Sequence, residues 1–341
     1  MQMKNYSVAI VGATGAVGRM MLKVLEEQNF PISELYLLAS KRSKNKTIQY
    51  NDHDLVVQDI NDFDFSNADI SLFSAGSEVS KKFAPTAAEK GSIVIDNTSY
   101  FRYEDEIPLI VPEVNPEEIE NFKNKNIIAN PNCSTIQMVV ALKPIHDLYS
   151  IQKINVSTYQ AVSGTGVNAI NELISQIKEF SENKKLTAEV YPKRILFNAL
   201  PHIDSFMENR YTKEEMKMVW ETQKILDKNI LVNATAVRIP VITGHSESIH
   251  VECEKEIVLK KVFDELNKYK DIIKVIDDIE DPSYPTTVES EDSNHVFVGR
   301  LRNDINHKNS LNLWVVSNNL RKGAAYNSVQ IAELLVKKKL I

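Results

Sequence analysis

The sequence predicts a two-domain α/β protein, a parallel sheet crossed by helices followed by a mixed α+β domain, and three observations carry that prediction. The chain has 341 residues, more than one hydrophobic core usually serves, which favours two domains of ordinary size. Its first part alternates short apolar runs with helical spacing, as expected of strands joined by crossovers in a parallel sheet. After Ile151 the strands lengthen and alternate in polarity, as in His245 to Glu252 and Ser310 to Val316, so a second and more antiparallel domain begins there.

The elements follow in order. Tyr6 to Val11 is an apolar run that enters Gly12-Ala13-Thr14-Gly15-Ala16-Val17-Gly18, after which Met21, Leu22 and Leu25 recur at helical spacing; the segment reads as strand, tight turn and helix. Further buried strands are expected at Leu35 to Ala39, Ile70 to Phe73, Ile93 to Ile95, Leu109 to Val111 and Ile127 to Ala129, each bounded by polar or turn residues. In the second domain, Ile170, Leu173, Ile174, Ile177 and Phe180 mark one helix face, and Met216, Val219, Trp220 and Leu226 mark another. Both read as core faces. Glu280 to Asn294 is polar, acidic and proline-containing, which predicts a surface loop.

Composition narrows the function. Hydrophobic residues at 43% and charged residues at 25% match a soluble globular protein and leave no case for a disordered or fibrous chain. A net charge of -6 argues against nucleic acid as a partner. No apolar stretch nears the roughly 20 residues that span a bilayer, and Met1 to Tyr6 lacks the apolar core of a signal peptide, so a cytoplasmic protein without a membrane partner is expected. Its two cysteines, Cys133 and Cys253, sit in unlike settings, which suggests neither a disulfide framework nor a zinc site, and no metal is expected.

Three segments carry chemistry. Gly12, Gly15 and Gly18 permit a tight turn, let backbone N–H groups approach a pyrophosphate and place it at a helix N-terminus, with Thr14, Gly15, Ala16 and Val17 lining the phosphates. The spacing is GxxGxxG, and its place between a strand and a helix marks a dinucleotide-binding unit. Strand two then runs into Ser40-Lys41-Arg42-Ser43 where an NAD-binding chain usually has Asp or Glu. Arg42 and Ser43, beside Ser40, can pair with a ribose 2′-phosphate, so NADP is favoured over NAD; a solvated basic loop is the alternative.

Cys133 lies in Asn130-Pro131-Asn132-Cys133-Ser134-Thr135, between the apolar run Ile127 to Ala129 and a helical pattern through Ile136, Val139, Val140 and Leu142. A thiol at such a strand-to-helix turn feels the positive end of the helix dipole, which favours the nucleophilic thiolate, and the same N–H groups can stabilise an oxyanion. The alternative is a small buried hydrophobe, which its polar neighbours disfavour. Cys253 reads as structural.

GATGAVG, the NPNCST segment, YQAVSGTG from Tyr159 to Gly166 and RIPVITGHSE from Arg238 to Glu247 occur in the order found in the aspartate-semialdehyde dehydrogenase family, which this chain resembles over nearly its whole length. The resemblance implies a Rossmann-like NADP-binding domain over 1–132, joined by a C-terminal helix over 325–341, for which Asn327 to Lys338 is the candidate. It also implies a catalytic and dimerisation domain over 133–324 like that of glyceraldehyde-3-phosphate dehydrogenase, and a homodimer, with a tetramer as the alternative. Cys133 then attacks an acyl phosphate, and hydride from NADPH reduces the thioester, on the way to lysine, methionine and threonine.

By the same resemblance, His245 is the acid/base histidine, and an ordinary imidazole pKa of about 6.5 suits proton transfer near neutrality. Arg238 binds the substrate carboxylate through its fork of donors, Arg102 holds the phosphate, and Gln160 orients the substrate or thioester. Lys217 and Glu214 contact phosphate and the substrate amino group, although a pair at this helical spacing is more often a solvated surface ion pair. Ser163, Gly164 and Asn319 lie near the cofactor, and Asn318 stands where the family often has Asp.

Two rival readings remain. N-acetyl-glutamyl-phosphate reductase runs the same chemistry on a longer acylated substrate, but its cysteine segment usually resembles PGCY. A catalytically silent dinucleotide-binding paralogue would keep the fold without the reaction.

Overall fold

The computed structural model describes residues 4–341, so the segment read for a targeting signal falls partly outside the described residues. The chain divides into two compact units, one formed by Met1–Asn132 with Ala324–Ile341, the other by Cys133–Gly323.

The first unit holds β1 (Tyr6–Val11), α1 (Ala16–Glu27), β2 (Ile32–Ala39), β3 (Thr47–Tyr50), β4 (His53–Asp59), β5 (Ile70–Phe73), α2 (Ser77–Glu89), β6 (Ile93–Asp96) and β7 (Ile127–Ala129). They form one seven-stranded sheet in the order β3-β4-β2-β1-β5-β6-β7. All neighbours pair in parallel except β3 and β4, which form an antiparallel hairpin. The chain winds outward through β2 on one side of β1 and returns through β5 on the other. The crevice at the C-terminal end of β1 is therefore the switch point where such sheets take ligands, and the glycine loop begins there. Tyr6, Val8 and Ile10 of β1 share one core with Met21 and Leu25 of α1 and with Val329, Ala332 and Leu335 of the closing helix.

In the second unit α3 (Cys133–Tyr149) leads into β8 (Ile151–Gln160), α4 (Val167–Ser181), α5 (Lys213–Ile225), β9 (Leu231–Arg238), β10 (His245–Cys253), α6 (Leu259–Leu266), β11 (Ile273–Val275), β12 (Val296–Asn303) and β13 (Ser310–Ser317). The sheet order is β11-β12-β13-β10-β8-β9. β10 lies antiparallel between β8 and β13, while β9 runs parallel to β8, so the ends of β8 and β9 and the start of β10 meet at one edge. α3 packs on this sheet and on α5 and α6, and most of its residues are buried. The chain leaves this unit through a π-helical turn at Arg321–Ala325 and ends in α7 (Tyr326–Lys337) within the first unit. No helix among the described residues is long and apolar enough to cross a membrane.

Three expectations are corrected, and one element was missed. Leu109 to Val111 is not a strand; it touches the sheet edge through a single parallel bridge from Leu109 to Ala129. The hairpin of β3 and β4 escaped the sequence reading, because its residues are short and mostly polar. On α4, Ala169 and Leu173 turn inward onto Ile195, Leu196 and Leu200, but Ile174, Ile177 and Phe180 are half-exposed or more. An apolar stripe looks the same in sequence whether its own core or another surface covers it. On α5, Met216, Val219, Trp220 and Leu226 are only half-buried, and the inward row is Glu214, Met218, Glu221, Thr222 and Ile225. Buried carboxylates can occupy such a row when they are bonded: Glu215 accepts from Thr212 N–H in a capping box and from Ala236 N–H at 3.0 Å.

Candidate active site

The glycine loop is shaped by what has no side chain. Gly12 has φ of 92°, in the region that favours glycine, and a Cβ there would stand 3.0 Å from the backbone of Ser74 and Ala75. A Cβ on Gly18 would lie 2.2 Å from the Gly12 carbonyl oxygen, so α1 packs against the turn only as glycine. Gly15 caps α1 without a side-chain hydrogen bond, and the first turn, with Ala16 and Val17, carries no acid. Its N–H groups are thus available to an anion, with Thr14 half-buried beside them. Lys41–Ser43 form a short 3-10 turn directly after β2, with Ser40 before it. Asp62 holds Lys44 at 2.7 Å, whereas Arg42 is exposed and has no carboxylate partner among the described residues.

Arg102 belongs to the same unit, on the loop after β6, and is buried, with one guanidinium N–H donating to Asn97 O at 2.8 Å. Asn97 is fixed in turn by Asn130, whose Nδ2 donates to Asn97 Oδ1 at 2.8 Å, and Asn327 of α7 donates to Asn130 Oδ1 at 2.7 Å. The closing helix therefore braces both the Arg102 loop and the residues that lead to the cysteine.

The second unit gathers the remaining polar residues. Cys133 is the first residue of α3 and half-exposed, at the positive end of the helix. Gly323 packs against it so closely that a Cβ at 323 would be 2.7 Å from the Cys133 Cβ. Cys253, by contrast, closes β10 fully buried, and burial pushes its thiol up to about 12.

His245 and Arg238 are held by the same residue. The Ala161 N–H donates to His245 Nδ1 at 3.1 Å, and Arg238 Nη1 donates to Ala161 O at 2.6 Å. A backbone N–H can only donate, so Nδ1 is an acceptor and the proton of the neutral ring sits on Nε2. Burial and the Arg238 charge lower the imidazole to about 3, well below the ordinary value assumed from sequence. Among the described residues, His245 Nε2 and Arg238 Nε are both buried without a hydrogen-bond partner, and Arg238 has no carboxylate in ion-pair range. Gly164 keeps the space beside them open: a Cβ there would stand 3.3 Å from Arg238 Nη1 and 3.5 Å from His245 Nε2.

Gln160 ends β8 opposite Arg238, accepts from Thr158 Oγ1 at 2.9 Å and donates to Glu214 Oε1 at 3.1 Å. Glu214 also takes Lys217 Nζ at 3.0 Å, and Lys217 bonds Asp204 at 2.8 Å. With side-chain exposures of 6% for Glu214 and 12% for Lys217, this is no solvated surface pair. Its acids hold Lys217 above the usual ammonium range despite burial. Ser163 and Asn319 bond each other at 2.9 Å, and Asn319 Oδ1 also accepts from Gly244 N–H at 2.9 Å, so they brace the turn into His245. Asn318 accepts from Leu320 N–H, as an Asp would, and its amide also donates to Glu291 O.

Sequence reasoning missed Ala161 and Asp204. Ala161 lies inside the YQAVSGTG segment but acts through its backbone, and Asp204 lies nine positions before α5 in an irregular stretch.

Comparison with known proteins identifies the relatives of the whole chain. Residues 7–122 match a model described as semialdehyde dehydrogenase, NAD binding domain, and residues 142–322 match semialdehyde dehydrogenase, dimerisation domain. The chain is 54% identical over 340 residues to an aspartate-semialdehyde dehydrogenase of Shewanella violacea, covering 98% of each. It is similar, at 54% identity and a TM-score of 0.96, to the structure of aspartate semialdehyde dehydrogenase II from Vibrio cholerae complexed with ASA, with 98% and 99% of the two chains covered. A more distant structure, the Candida albicans enzyme with NADP, aligns at 27% identity and a TM-score of 0.77 over 99% and 100% of the chains. Both domains, the cysteine at its helix start and the histidine–arginine pair on Ala161 thus sit in a chain matched end to end, and the chain belongs to the aspartate-semialdehyde dehydrogenase family.

Proposed function

We propose that the chain reduces L-aspartyl 4-phosphate to L-aspartate 4-semialdehyde with NADPH, through a thioester on Cys133, as a homodimer serving lysine, methionine and threonine synthesis. The observation that carries the reading is Arg238, a buried guanidinium with no carboxylate partner among the described residues, beside a neutral imidazole whose Nε2–H is unbonded among them. A buried unpaired cation is costly unless a ligand anion completes it, and a planar fork suits the substrate α-carboxylate. The Glu214–Lys217 pair gives the substrate ammonium an acid and its phosphate a cation, Arg102 adds a second cation for phosphate, and Gln160 orients the acyl group.

Cys133 thiolate, favoured at the α3 N-terminus, adds its sulfur to the acyl carbon; the carbon–oxygen bond to phosphate then breaks and phosphate leaves. The His245 Nε2–H donates to the acyl oxygen as negative charge gathers on it. With Nδ1 accepting from Ala161, Nε2 already carries its proton, so the ring acts here as a donor and does not take the thiol proton. NADPH, when bound, supplies the hydride that reduces the thioester. As the carbon–sulfur bond breaks, the aldehyde leaves and the thiolate returns.

The phosphate loop with Gly12, Thr14, Gly15, Ala16, Val17 and Gly18 fits a pyrophosphate, because both glycine contacts exclude a side chain and the α1 N-terminus is uncapped. Ser40, Arg42 and Ser43 favour the 2′-phosphate of NADP, and Ser163, Gly164 and Asn319 shape the nicotinamide side. The test is NADPH formation from aspartate semialdehyde, phosphate and NADP. Wild type should turn over only with phosphate, and Cys133→Ala should lose at least about 1,000-fold in kcat. Phosphate-independent turnover, or a Cys133→Ala enzyme as fast as wild type, would overturn the reading; the acetylated longer aldehyde in the same assay separates the related reductase.

A further inference from the structure

Asp204 joins the Glu214–Lys217 cluster from the irregular stretch before α5. Its φ of 68° is a left-handed backbone that aspartate tolerates, and its Oδ1 accepts from Ser205 N–H at 2.8 Å. Ser205 O accepts in turn from the N–H of Lys213, the first residue of α5, at 2.8 Å, so the stretch is pinned to the start of the helix. Oδ2 is left for Lys217 Nζ, 2.8 Å away.

Charge counting gives that contact its meaning. Lys217 lies between two carboxylates, Glu214 at 3.0 Å and Asp204 at 2.8 Å. With Glu214 alone it would form a neutral pair; with Asp204 added, two acids and one base leave a surplus negative charge. Burial works to raise the Asp204 carboxyl, but Lys217 overcomes it and holds the group below its ordinary value. Glu214 is the acid that the Arg238–His245 pair feels. Gln160, opposite Arg238 in the sheet, donates to its Oε1 at 3.1 Å, and while burial and Arg238 lower the His245 imidazole, the charge of Glu214 works against them.

We infer that Asp204 sets the specificity of the site for an amino-bearing substrate: it neutralises Lys217, so that the charge of Glu214 is left for the substrate α-ammonium. The inference deepens the reaction proposed above and rests on it. Arg238 then meets the α-carboxylate with a positive charge while the cluster meets the α-ammonium with a negative one, and both charges of an α-amino acid are matched. Lys217 has three donors, of which the two acids occupy two and the third remains for phosphate. Acting through Lys217 and not on the reacting atoms, Asp204 is a positioning residue.

Succinate semialdehyde is aspartate semialdehyde without the ammonium, so the ratio of kcat/KM for the two aldehydes reads the ammonium site by itself. In D204N, Lys217 is left to Glu214 alone, and this ratio should fall about tenfold, through KM for aspartate semialdehyde, with KM for phosphate not raised. Asparagine tolerates the left-handed backbone as aspartate does and keeps an acceptor for Ser205 N–H. The double variant D204N/K217M removes both charges and returns the surplus to Glu214. Its ratio should recover to within about threefold of wild type even though its KM for phosphate rises.

A merely structural Asp204 would not be rescued by removing a second residue. An unchanged ratio in D204N, or a double variant as unselective as D204N, would overturn the inference; should D204N fail to fold, the double variant decides. Should wild type prove inactive on the semialdehyde, the reaction reading fails. Binding of L-asparagine against succinamate, its counterpart without the ammonium, then gives the ratio by calorimetry without turnover. A ratio equal in wild type and D204N overturns the inference, and one about tenfold lower in D204N upholds it.

Discussion

The two units recognise charge in opposite ways. In the first, the glycine loop is a shape made of backbone: Gly12 and Gly18 are defined by contacts that forbid a Cβ, and the nearby Arg42 is exposed, with no carboxylate partner among the described residues. In the second, Arg238, His245, Gln160, Glu214 and Lys217 are side chains buried against one another, each fixed by a particular partner. A backbone cradle tolerates varied neighbours but no added atom where it is tight. A buried side-chain cluster tolerates little change of chemistry but is indifferent to small changes at its rim.

That contrast can be broken by substitution. Gly18→Ala puts a methyl group 2.2 Å from the Gly12 carbonyl, and NADP affinity, read by fluorescence titration, should fall about 100-fold while the second unit keeps its thiol reactivity. Normal NADP affinity in that variant would show the loop to be far softer than its contacts imply. Next in size, Arg238→Lys keeps the charge and loses the fork; kcat/KM for the semialdehyde should drop about 30-fold, since one charge-assisted hydrogen bond in a buried site is at stake. If lysine serves as well as arginine, the cluster is not selecting by geometry. The smallest effect belongs to the exposed rim: Arg42→Glu should weaken NADP binding about tenfold and leave NAD binding unchanged. An equal loss for both dinucleotides would mean that Arg42 does not read the 2′-phosphate.

The same contrast explains what the sequence made legible. Gly12, Gly15 and Gly18 announce themselves because spacing is their function, and the strand-to-helix position of Cys133 follows from the apolar runs on either side. The neutral state of His245 was not legible: it depends on a backbone N–H from Ala161, 84 positions away in the chain, and on the loss of water around the ring. Glu214 and Lys217 looked like a surface pair because an i, i+3 spacing carries no record of burial; only Gln160 and Asp204, reached across the fold, show otherwise. The exposed Ile174, Ile177 and Phe180 mark the opposite failure, an apolar row that this chain's own core does not cover.

The most direct measurement is to mix the protein with aspartate semialdehyde and NADP in the absence of phosphate, then quench and map the adduct by peptide mass spectrometry. The account predicts a burst of NADPH no larger than the enzyme concentration and an acyl group on the peptide carrying Cys133, with the peptide carrying Cys253 unmodified. A burst without an adduct on Cys133, or an adduct on Cys253 instead, would contradict it.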